Sequence, residues 1–346
     1  MGARFRRWMP LLKLLFTLVV LACVGWYFTR ILTNEELQKT DRSRSPAQIL
    51  WDQARAARPG DLAVAAGLYL SGMAFSGAFW VGLLRTAGAP MPVGAGLRAY
   101  YISHLGKYTP GMGAPTVMRM GMASAVGVRP GTAALTAAYE TLTTMAAGAL
   151  LAAVLLTWQA AADPAMVWKA IILLLVAGVP ILPGVFNPLV RRLSGRFTVG
   201  QPLPRLPAAA LPVGLAVTAC GWGFLGASLF AVIRAVEASP PAWGVGEWLD
   251  CTAVAALSYV AGFLSQTPGG VGVRELILQQ FLAPRLGGEA PAIVAVLLLR
   301  ALWTAAEVAA AGVLFWLPVR RTQGTGDRGQ GTEEKDAAAS PQTSGP

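Results

Sequence analysis

The stretch LAVAAGLYLSGMAFSGAFWVGLL at Leu62–Leu84 decides the fold of this chain. It runs for 23 residues without a charged side chain. A helix rises about 1.5 Å per residue, so a helix of this length covers the roughly 30 Å hydrocarbon core of a bilayer. The stretch therefore predicts a helix that crosses a membrane.

Similar apolar runs recur along the whole chain. Hydrophobic residues make up 55% of the sequence and charged residues only 13%, well below the roughly 25% charged residues of soluble domains. Six further runs are long enough to span a membrane: Leu11–Ile31, Ala133–Thr157, Met166–Phe186, Ala208–Val236, Trp248–Leu264 and Ala292–Leu317. Together the runs predict an all-α, polytopic transmembrane helical bundle of seven or eight spanning helices.

Polar stretches divide the chain into three parts. Residues 1–61 combine the first apolar run with an amphipathic segment that begins like a capped helix at Ser45 and Pro46 and is expected to lie on the membrane surface. Residues 62–318 form the predicted membrane domain, which contains two pseudo-repeats. Residues 319–346 are polar without an apolar period, which predicts a disordered tail.

The 28 Lys and Arg residues outnumber the 17 Asp and Glu residues. No nucleic-acid-binding module accompanies them, whereas basic residues at helix ends follow from the positive-inside rule. The arginines of RFRRW at residues 4–8 predict a cytoplasmic N-terminus in the cell inner membrane. Seven crossings would leave the C-terminus outside, although Arg320 and Arg321 favour the cytoplasm. An eighth crossing by Gln266–Leu286 would remove this conflict.

Residue types that build metal and catalytic sites are scarce. His104 is the single histidine, so a His-rich metal site cannot form, and no catalytic-triad motif accompanies it. Cys23, Cys220 and Cys251 lie in apolar runs without motif spacing. No P-loop is present. We expect no metal, no cofactor and no catalytic residue, and the sequence leans against an enzyme without deciding the question.

Two segments, Pro92–Gly121 and Gln266–Leu286, are apolar but interrupted by glycine and proline. The first contains GKYTPGMGAPTVMR at residues 106–119, and the second contains QTPGGVGVR at residues 266–274. Each has Thr-Pro-Gly, then a glycine-rich stretch, then an arginine. The recurrence predicts two Pro/Gly-broken, re-entrant segments related as an inverted repeat.

These broken segments are where function is expected. Proline removes a backbone donor and glycine permits turns, so each motif exposes backbone amides and carbonyls. Inside a bilayer such groups are tolerated only where they line a polar cavity or are buried in protein. Paired broken helices therefore indicate a transporter-like binding site. The alternative is two ordinary loops at the headgroup level, whose arginines, Arg119 and Arg274, extend to the interface.

The charges near the motifs suggest what would bind there. Lys107, Arg119 and Arg274 are cations. Backbone amides at the helix start after Gly272 add a partial positive charge. An anionic headgroup therefore fits, and phosphate is the obvious candidate because arginine binds it with two parallel hydrogen bonds.

Three ionisable residues fall within spanning runs: Glu140, Arg300 and Glu307. Facing lipid they would cost at least about 2.5–3.5 kcal/mol each, so we expect them to face the bundle interior and to mark a functional path. Glu275 is expected to pair with Arg300 or to engage an amine. The alternative is a purely structural ion pair, for example Glu140 with Arg300.

GKYTPG with its downstream arginine, and TPGGVGVRE, resemble signature stretches of the lysylphosphatidylglycerol synthase transmembrane region, a flippase-like integral membrane family. WVGLLR at Trp80–Arg85 is similar to the arginine-bearing end of that family's second helix. The resemblance covers about Leu62 to Leu317 and implies a lipid-handling helical bundle. In the best-known members this region translocates aminoacylated phosphatidylglycerol and is fused to an aminoacyl-transferase domain. No such domain is expected here, so lysyl transfer is not carried over.

The resemblance gives the matching positions a candidate role in lipid binding. They are Lys107, Tyr108, Pro110, Gly111 and Arg119 in the first motif, and Pro268, Gly269, Gly270, Gly272, Arg274 and Glu275 in the second. Gln266 in the second motif and the three ionisable residues of the spanning runs complete the predicted site.

The sequence thus predicts a lipid translocase that binds the anionic or zwitterionic headgroup of a phospholipid or polyprenyl-phosphate lipid in a polar cleft. The membrane lipid is its expected partner, a separately encoded lipid-synthesis enzyme is a second candidate, and nucleic acid is not expected. The oligomeric state is open. The alternatives are a membrane-embedded lipid-modifying enzyme, motivated by the intramembrane carboxylates, and a non-catalytic scaffold for an envelope-assembly enzyme.

Overall fold

A computed structural model of the chain describes residues 55–108, 113–159, 204–237, 242–265 and 272–317, together with single positions such as Phe186 and Gly270. Two of the predicted spans, Leu11–Ile31 and most of Met166–Phe186, lie outside the described residues, and so does the predicted tail. The chain divides into two units, Met1–Phe315 and Trp316–Pro346. The site described below belongs to the first unit.

The described secondary structure is helical, as predicted from the apolar runs. Eight α-helices are present within the described ranges. They are α1 (Pro59–Thr86), α2 (Val93–His104), α3 (Ala114–Ser124), α4 (Pro130–Gln159), α5 (Ala210–Val236), α6 (Val245–Leu264), α7 (Val273–Arg285) and α8 (Glu289–Trp316). A 3₁₀ turn at Leu105–Tyr108 follows α2 directly.

Four of these helices are long and apolar enough to cross a membrane. They are α1, α5 and nearly all of α4 and α8, and each coincides with a run predicted from the sequence. The predicted run Trp248–Leu264 is also helical, as α6, but α6 is not among the four. The total of seven or eight crossings therefore remains a prediction.

Helix α1 shows how the local sequence sets the ends of a spanning segment. Pro59 occupies the first helical turn, where its missing N–H has no partner to lose, and Asp61 places a negative charge near the positive pole of the helix. Arg85 lies in the last turn, near the negative pole. The chain then leaves the helix through Gly88, which has a φ of 71°.

Helix α5 packs against α1, α4 and α6. Its contact with α1 is close at Gly72 and Gly221, since a Cβ on either glycine would lie 2.9 Å from the carbonyl oxygen of the other. On the α6 side, a Cβ on Gly226 would lie 2.5 Å from the Cα of Thr252. Small residues that let backbones approach in this way are typical of helix contacts in membranes.

Buried polar side chains also join the helices. Trp303 on α8 donates a hydrogen bond of 2.9 Å to the Ser228 hydroxyl on α5, and that hydroxyl donates one of 2.7 Å to the carbonyl of Ala65 on α1. The Trp303 ring also stacks on Tyr69 of α1 at a centroid distance of 4.6 Å. The three helices are therefore held together at one level, and each polar group has a partner, as burial requires.

Each interrupted segment contains at least one short helix. The first contains α2, the 3₁₀ turn that ends at Tyr108 and most of α3, and the second contains α7. Helix α7 has 13 residues, about 20 Å of length, which is shorter than the roughly 30 Å hydrocarbon core. The Thr-Pro-Gly tripeptides at residues 109–111 and 267–269 lie outside the described residues. Re-entrant geometry and an inverted repeat therefore remain predictions.

Candidate functional site

A cavity of about 320 Å³ lies inside the helical bundle, and we call it the central cavity. Its lining includes five residues of the predicted site: Lys107, Arg119, Glu140, Gly270 and Arg274. These residues come from both halves of the sequence, separated by more than a hundred positions. The structure therefore brings the arginines of the two motifs into one compartment.

The rest of the lining is largely apolar. Met73, Met145 and Leu225 contribute to the walls, and Phe263 and Leu264 line the cavity at the end of α6. Phe263 and Leu264 are also among the exposed large apolar side chains. The cavity therefore reaches an apolar part of the protein surface, and its charged groups lie among apolar walls, as is usual for ligand sites.

Arg119 forms the first charged group of the central cavity. It lies on α3, is only 4% exposed, and donates a hydrogen bond of 2.6 Å from a terminal nitrogen to Glu140 on α4. Its Nε donates to the Ser103 hydroxyl on α2 at 3.0 Å. Its guanidinium lies over the ring of Tyr100, 4.2 Å from the centroid. Arg119 thus connects three helices and its charge is balanced.

Glu140 accepts further hydrogen bonds besides the one from Arg119. The hydroxyls of Tyr100 and Thr144 donate to its Oε1 at 3.2 and 3.1 Å. The Thr141 hydroxyl donates to Oε2 at 3.3 Å. With 1% exposure, this carboxylate is buried, and its hydrogen-bond partners are typical of a stable buried ion.

Arg274 forms the second charged group, and its surroundings differ. It lies in the first turn of α7, is 6% exposed, and places its guanidinium over the ring of Tyr259, 3.5 Å from the centroid. Within the described ranges, no carboxylate forms an ion pair with it and its Nε has no hydrogen-bond partner. A buried cation in this state favours a bound anion.

Two glycines leave the space that Arg274 occupies. A Cβ on Gly262 would lie 2.5 Å from Cγ and 2.7 Å from Nε of this arginine. A Cβ on Gly270 would lie 2.5 Å from the same Nε, and Gly270 has a φ of 74°, which side-chain-bearing residues rarely adopt. The glycine-rich motif therefore positions the arginine as well as turning the backbone.

Glu307 on α8 is the centre of the third charged group. It accepts hydrogen bonds from the Tyr69 hydroxyl, from the Lys107 ammonium and, at 2.8 Å, from the Tyr108 hydroxyl. The His104 ring lies 3.7 Å away. Glu307 is 1% exposed. Two predicted binding residues, Lys107 and Tyr108, are therefore bonded to a third, and the charge of Lys107 is balanced.

Arg300 and Glu275 form the fourth charged group, an ion pair of 2.9 Å between Nε and Oε1. Glu275 also accepts a hydrogen bond of 2.7 Å from the backbone N–H of Gly272, at the start of α7. The expected pairing of Glu275 with Arg300 is present. The alternative pairing of Glu140 with Arg300 was wrong, because Glu140 is bonded to Arg119 on the neighbouring helix.

Several predicted site residues lie outside the described residues: Pro110, Gly111, Gln266, Pro268 and Gly269. Their part in binding stays a prediction. The same holds for the expectation that the backbone breaks at the two motif prolines meet inside the protein.

Sequence reasoning missed four residues of the site. Tyr100 and Tyr259 carry the two arginines on their rings, Gly262 makes room for one of them, and His104 lines the central cavity. The usable signal was a tyrosine on the helix before each motif. It is weak, because tyrosine is common in apolar helices for packing alone.

Within the described parts of the chain, no group of three or more His, Cys, Asp or Glu could hold a metal ion. The long apolar helices and the charged cavity between them define a multi-pass membrane protein with a polar compartment inside its bundle.

The comparisons with known proteins agree with this class. The family model for the lysylphosphatidylglycerol synthase TM region matches residues 43–312, and the chain therefore belongs to that family. A search of curated proteins found no match. The family assignment and the membrane helices indicate a membrane protein related to lipid metabolism.

Proposed function

We propose that this protein is a lipid translocase, which binds the headgroup of a membrane lipid in the central cavity and passes the lipid between the leaflets of the inner membrane. The observation that carries the proposal is Arg274, a buried cation without a carboxylate partner among the described residues. Burying an uncompensated charge costs several kcal/mol, so a bound anion would stabilise the site.

A lipid suits the cavity better than a soluble anion. The lining includes Phe263 and Leu264, which are apolar and exposed. Acyl chains attached to a headgroup in the cavity could therefore remain in contact with the hydrocarbon of the bilayer. The headgroup would exchange its hydration for the arginine and the hydroxyls of the lining.

The orientation of the protein and the source of its lipid also belong to the proposed function. The N-terminus is proposed to be cytoplasmic, and a separately encoded lipid-synthesis enzyme is proposed to supply the lipid. The sequence contains no P-loop, so we propose that transport follows a lipid gradient, uses the membrane potential, or depends on a partner.

The lipid-modifying enzyme receives less support. It needs a carboxylate able to act as a base, and the three candidates are Glu140, Glu275 and Glu307. Each of them is bonded to an arginine or a lysine. A carboxylate whose oxygens already contact a cation is poorly placed to take a proton from a substrate.

The test is transfer of a fluorescent lipid between leaflets of liposomes that contain the purified protein. We expect transfer with the wild-type protein and at least about a tenfold slower rate in Arg274→Ala, the equivalent of about 1.4 kcal/mol. The matched control is Arg285→Ala, because Arg285 pairs with Glu247 and Asp250 outside the cavity lining. Equal rates in Arg274→Ala and wild type would rule out the proposed role of Arg274.

A further inference from the structure

The charges around the central cavity can be counted, and the count points to a class of lipid. Arg119 is balanced by Glu140, and Lys107 is balanced by Glu307. Arg274 has no carboxylate partner among the described residues. Among the residues that the structure describes, the lining therefore carries one positive charge that no acidic side chain offsets.

Two neighbouring groups leave this balance unchanged. Glu275 lies beside the cavity, but it already pairs with Arg300. His104 lies near the same Glu307 oxygen that Lys107 contacts. Two cations on one oxygen repel each other, so we count the imidazole as neutral.

The motif residues that lie outside the described residues do not alter the count either. Residues 109–112 read Thr-Pro-Gly-Met, and residues 266–269 read Gln-Thr-Pro-Gly. Neither stretch contains an ionisable side chain. The loops next to the two motif arginines therefore bring no carboxylate to Arg274.

We propose that the central cavity selects lipids whose headgroup carries a single negative charge, on a phosphodiester, and no amine. The inference rests on the proposed function and names its substrate class. One phosphodiester supplies the one missing charge, and its oxygens match the planar fork of an arginine. This class excludes lysylphosphatidylglycerol, the lipid in the family's name, because its lysyl group adds positive charge to the headgroup.

A phosphomonoester fits less well because of its extra charge. It carries about −1.5 to −2 at neutral pH, whereas a phosphodiester carries one negative charge. The excess would lie in the same compartment as Glu140, with Glu307 behind its wall. Repulsion between like charges is strong where water is excluded.

An amine fits less well because the groups that would receive it are occupied. Glu140 and Glu307 already hold a cation each. The rings of Tyr100 and Tyr259 are covered by arginine guanidinium groups at 4.2 and 3.5 Å. The remaining polar lining includes hydroxyls such as that of Thr218, which donates to the Gly214 carbonyl at 2.7 Å and can still accept a hydrogen bond from an uncharged polyol headgroup.

The test is binding of short-chain lipids to the purified full-length protein in detergent, measured by calorimetry. The probes are dihexanoyl phosphatidylglycerol (a phosphodiester with hydroxyls), phosphatidylethanolamine (with an amine), phosphatidic acid (a phosphomonoester) and lysyl-phosphatidylglycerol. We expect the first to bind at least about tenfold more tightly than the other three. Equal affinities, or a preference for any of the other three, would overturn the inference.

A charge variant makes the test sharper. Glu140→Gln leaves Arg119 without its carboxylate and raises the count to two positive charges. We expect its preference to move toward phosphatidic acid by about tenfold, whereas Glu247→Gln, at an exposed ion pair, keeps the wild-type preference. A folded Glu140→Gln variant with an unchanged preference would contradict the charge count.

Arg274→Lys covers the case in which Glu140→Gln does not fold. This variant retains the positive charge but loses the planar guanidinium that binds phosphate with two hydrogen bonds. We therefore expect it to bind every lipid more weakly and in the same order of preference. A reversed order would contradict the inference.

Two further outcomes separate this inference from the proposed function. Selective binding without transfer in liposomes would overturn the translocase and leave the binding class intact. Transfer of all four lipids at one rate would overturn the binding class and leave the translocase intact. Glycerophosphoglycerol, which is the same headgroup without acyl chains, should bind more weakly than the lipid. Equal binding would overturn the assignment of a lipid.

Discussion

The two motif arginines lie on tyrosine rings in the same manner but have opposite surroundings. Arg119 lies over Tyr100 and is bonded to Glu140, whereas Arg274 lies over Tyr259 and has no carboxylate partner among the described residues. The first arginine therefore balances a buried charge and joins helices. The second is held in place by aromatic and glycine contacts, and no carboxylate among the described residues balances its charge.

The two arginines differ in charge environment because the nearby carboxylates are bonded to different cations. Glu140 accepts a hydrogen bond from Arg119. Glu307, on the last described helix, accepts hydrogen bonds from Lys107 and from two tyrosine hydroxyls. The carboxylate of the second half, Glu307, is therefore paired with Lys107 and not with Arg274. Two similar motifs therefore place their arginines in one cavity but in different charge environments.

The largest expected effect concerns the paired arginine. We expect Glu140→Ala to lower the free energy of unfolding by about 3–5 kcal/mol, because it leaves Arg119 as an uncompensated buried charge. Unfolding of the purified protein in detergent measures this loss. The double variant Arg119→Ala/Glu140→Ala should recover part of it.

The unpaired arginine provides the matched comparison. Arg274→Ala should lower the free energy of unfolding by less than about 2 kcal/mol, because no carboxylate among the described residues loses its partner. Similar losses in Glu140→Ala and Arg274→Ala would show that both arginines are structural.

A smaller effect is expected from the glycine that makes room for Arg274. Gly262→Ala places a Cβ against this side chain and should weaken binding of dihexanoyl phosphatidylglycerol by about tenfold, or about 1.4 kcal/mol. Calorimetry of the folded variant measures the change. Gly67→Ala is the control, since nothing lies within 4 Å of the added Cβ. Wild-type affinity in Gly262→Ala would mean that the arginine can bind from another position.

The two tyrosines should respond differently to loss of the hydroxyl. Tyr100→Phe removes a hydrogen bond to Glu140 and should cost about 1 kcal/mol of stability. Tyr259→Phe retains the ring under Arg274 and should keep ligand affinity within about twofold. Unfolding and calorimetry on both variants test this. A large loss of affinity in Tyr259→Phe would indicate that its hydroxyl contacts the ligand.

The smallest effect is expected at the surface. Arg285 pairs with Glu247 and Asp250 where all three side chains are partly exposed. Arg285→Ala should change the free energy of unfolding by at most about 1 kcal/mol, because exposed ion pairs are screened by water and salt. A loss comparable to that of Glu140→Ala would remove the distinction between buried and exposed pairs.

Much of the fold follows from the sequence by length and polarity. Leu62–Leu84 forms a helix that is long and apolar enough to span a membrane, as its length and lack of charge predict. The exact ends follow from Pro59 and Arg85, which polarity alone does not locate. The number of crossings could not be fixed, because a run such as Trp248–Leu264 has the length of a span but borderline polarity.

The sequence predicted which residue types form the candidate site, but it did not predict every ion pair between them. Arg119, Arg274 and Glu140 were recognised because ionisable groups in apolar segments need a polar environment. Which carboxylate meets which cation depends on how helices pack, and Glu140 pairs with Arg119 rather than with Arg300. Tyr259 and Gly262 contact Arg274 through a ring face and through the absence of a side chain. Neither feature produces a charge pattern in the sequence.

His104 has a practical consequence. It is the single imidazole of the whole sequence, and it lines the central cavity within 3.7 Å of Glu307. Isotopic labelling of histidine in a protein freed of its purification tag would therefore yield the signals of one imidazole ring. Those signals would report on the central cavity without a background from other histidines.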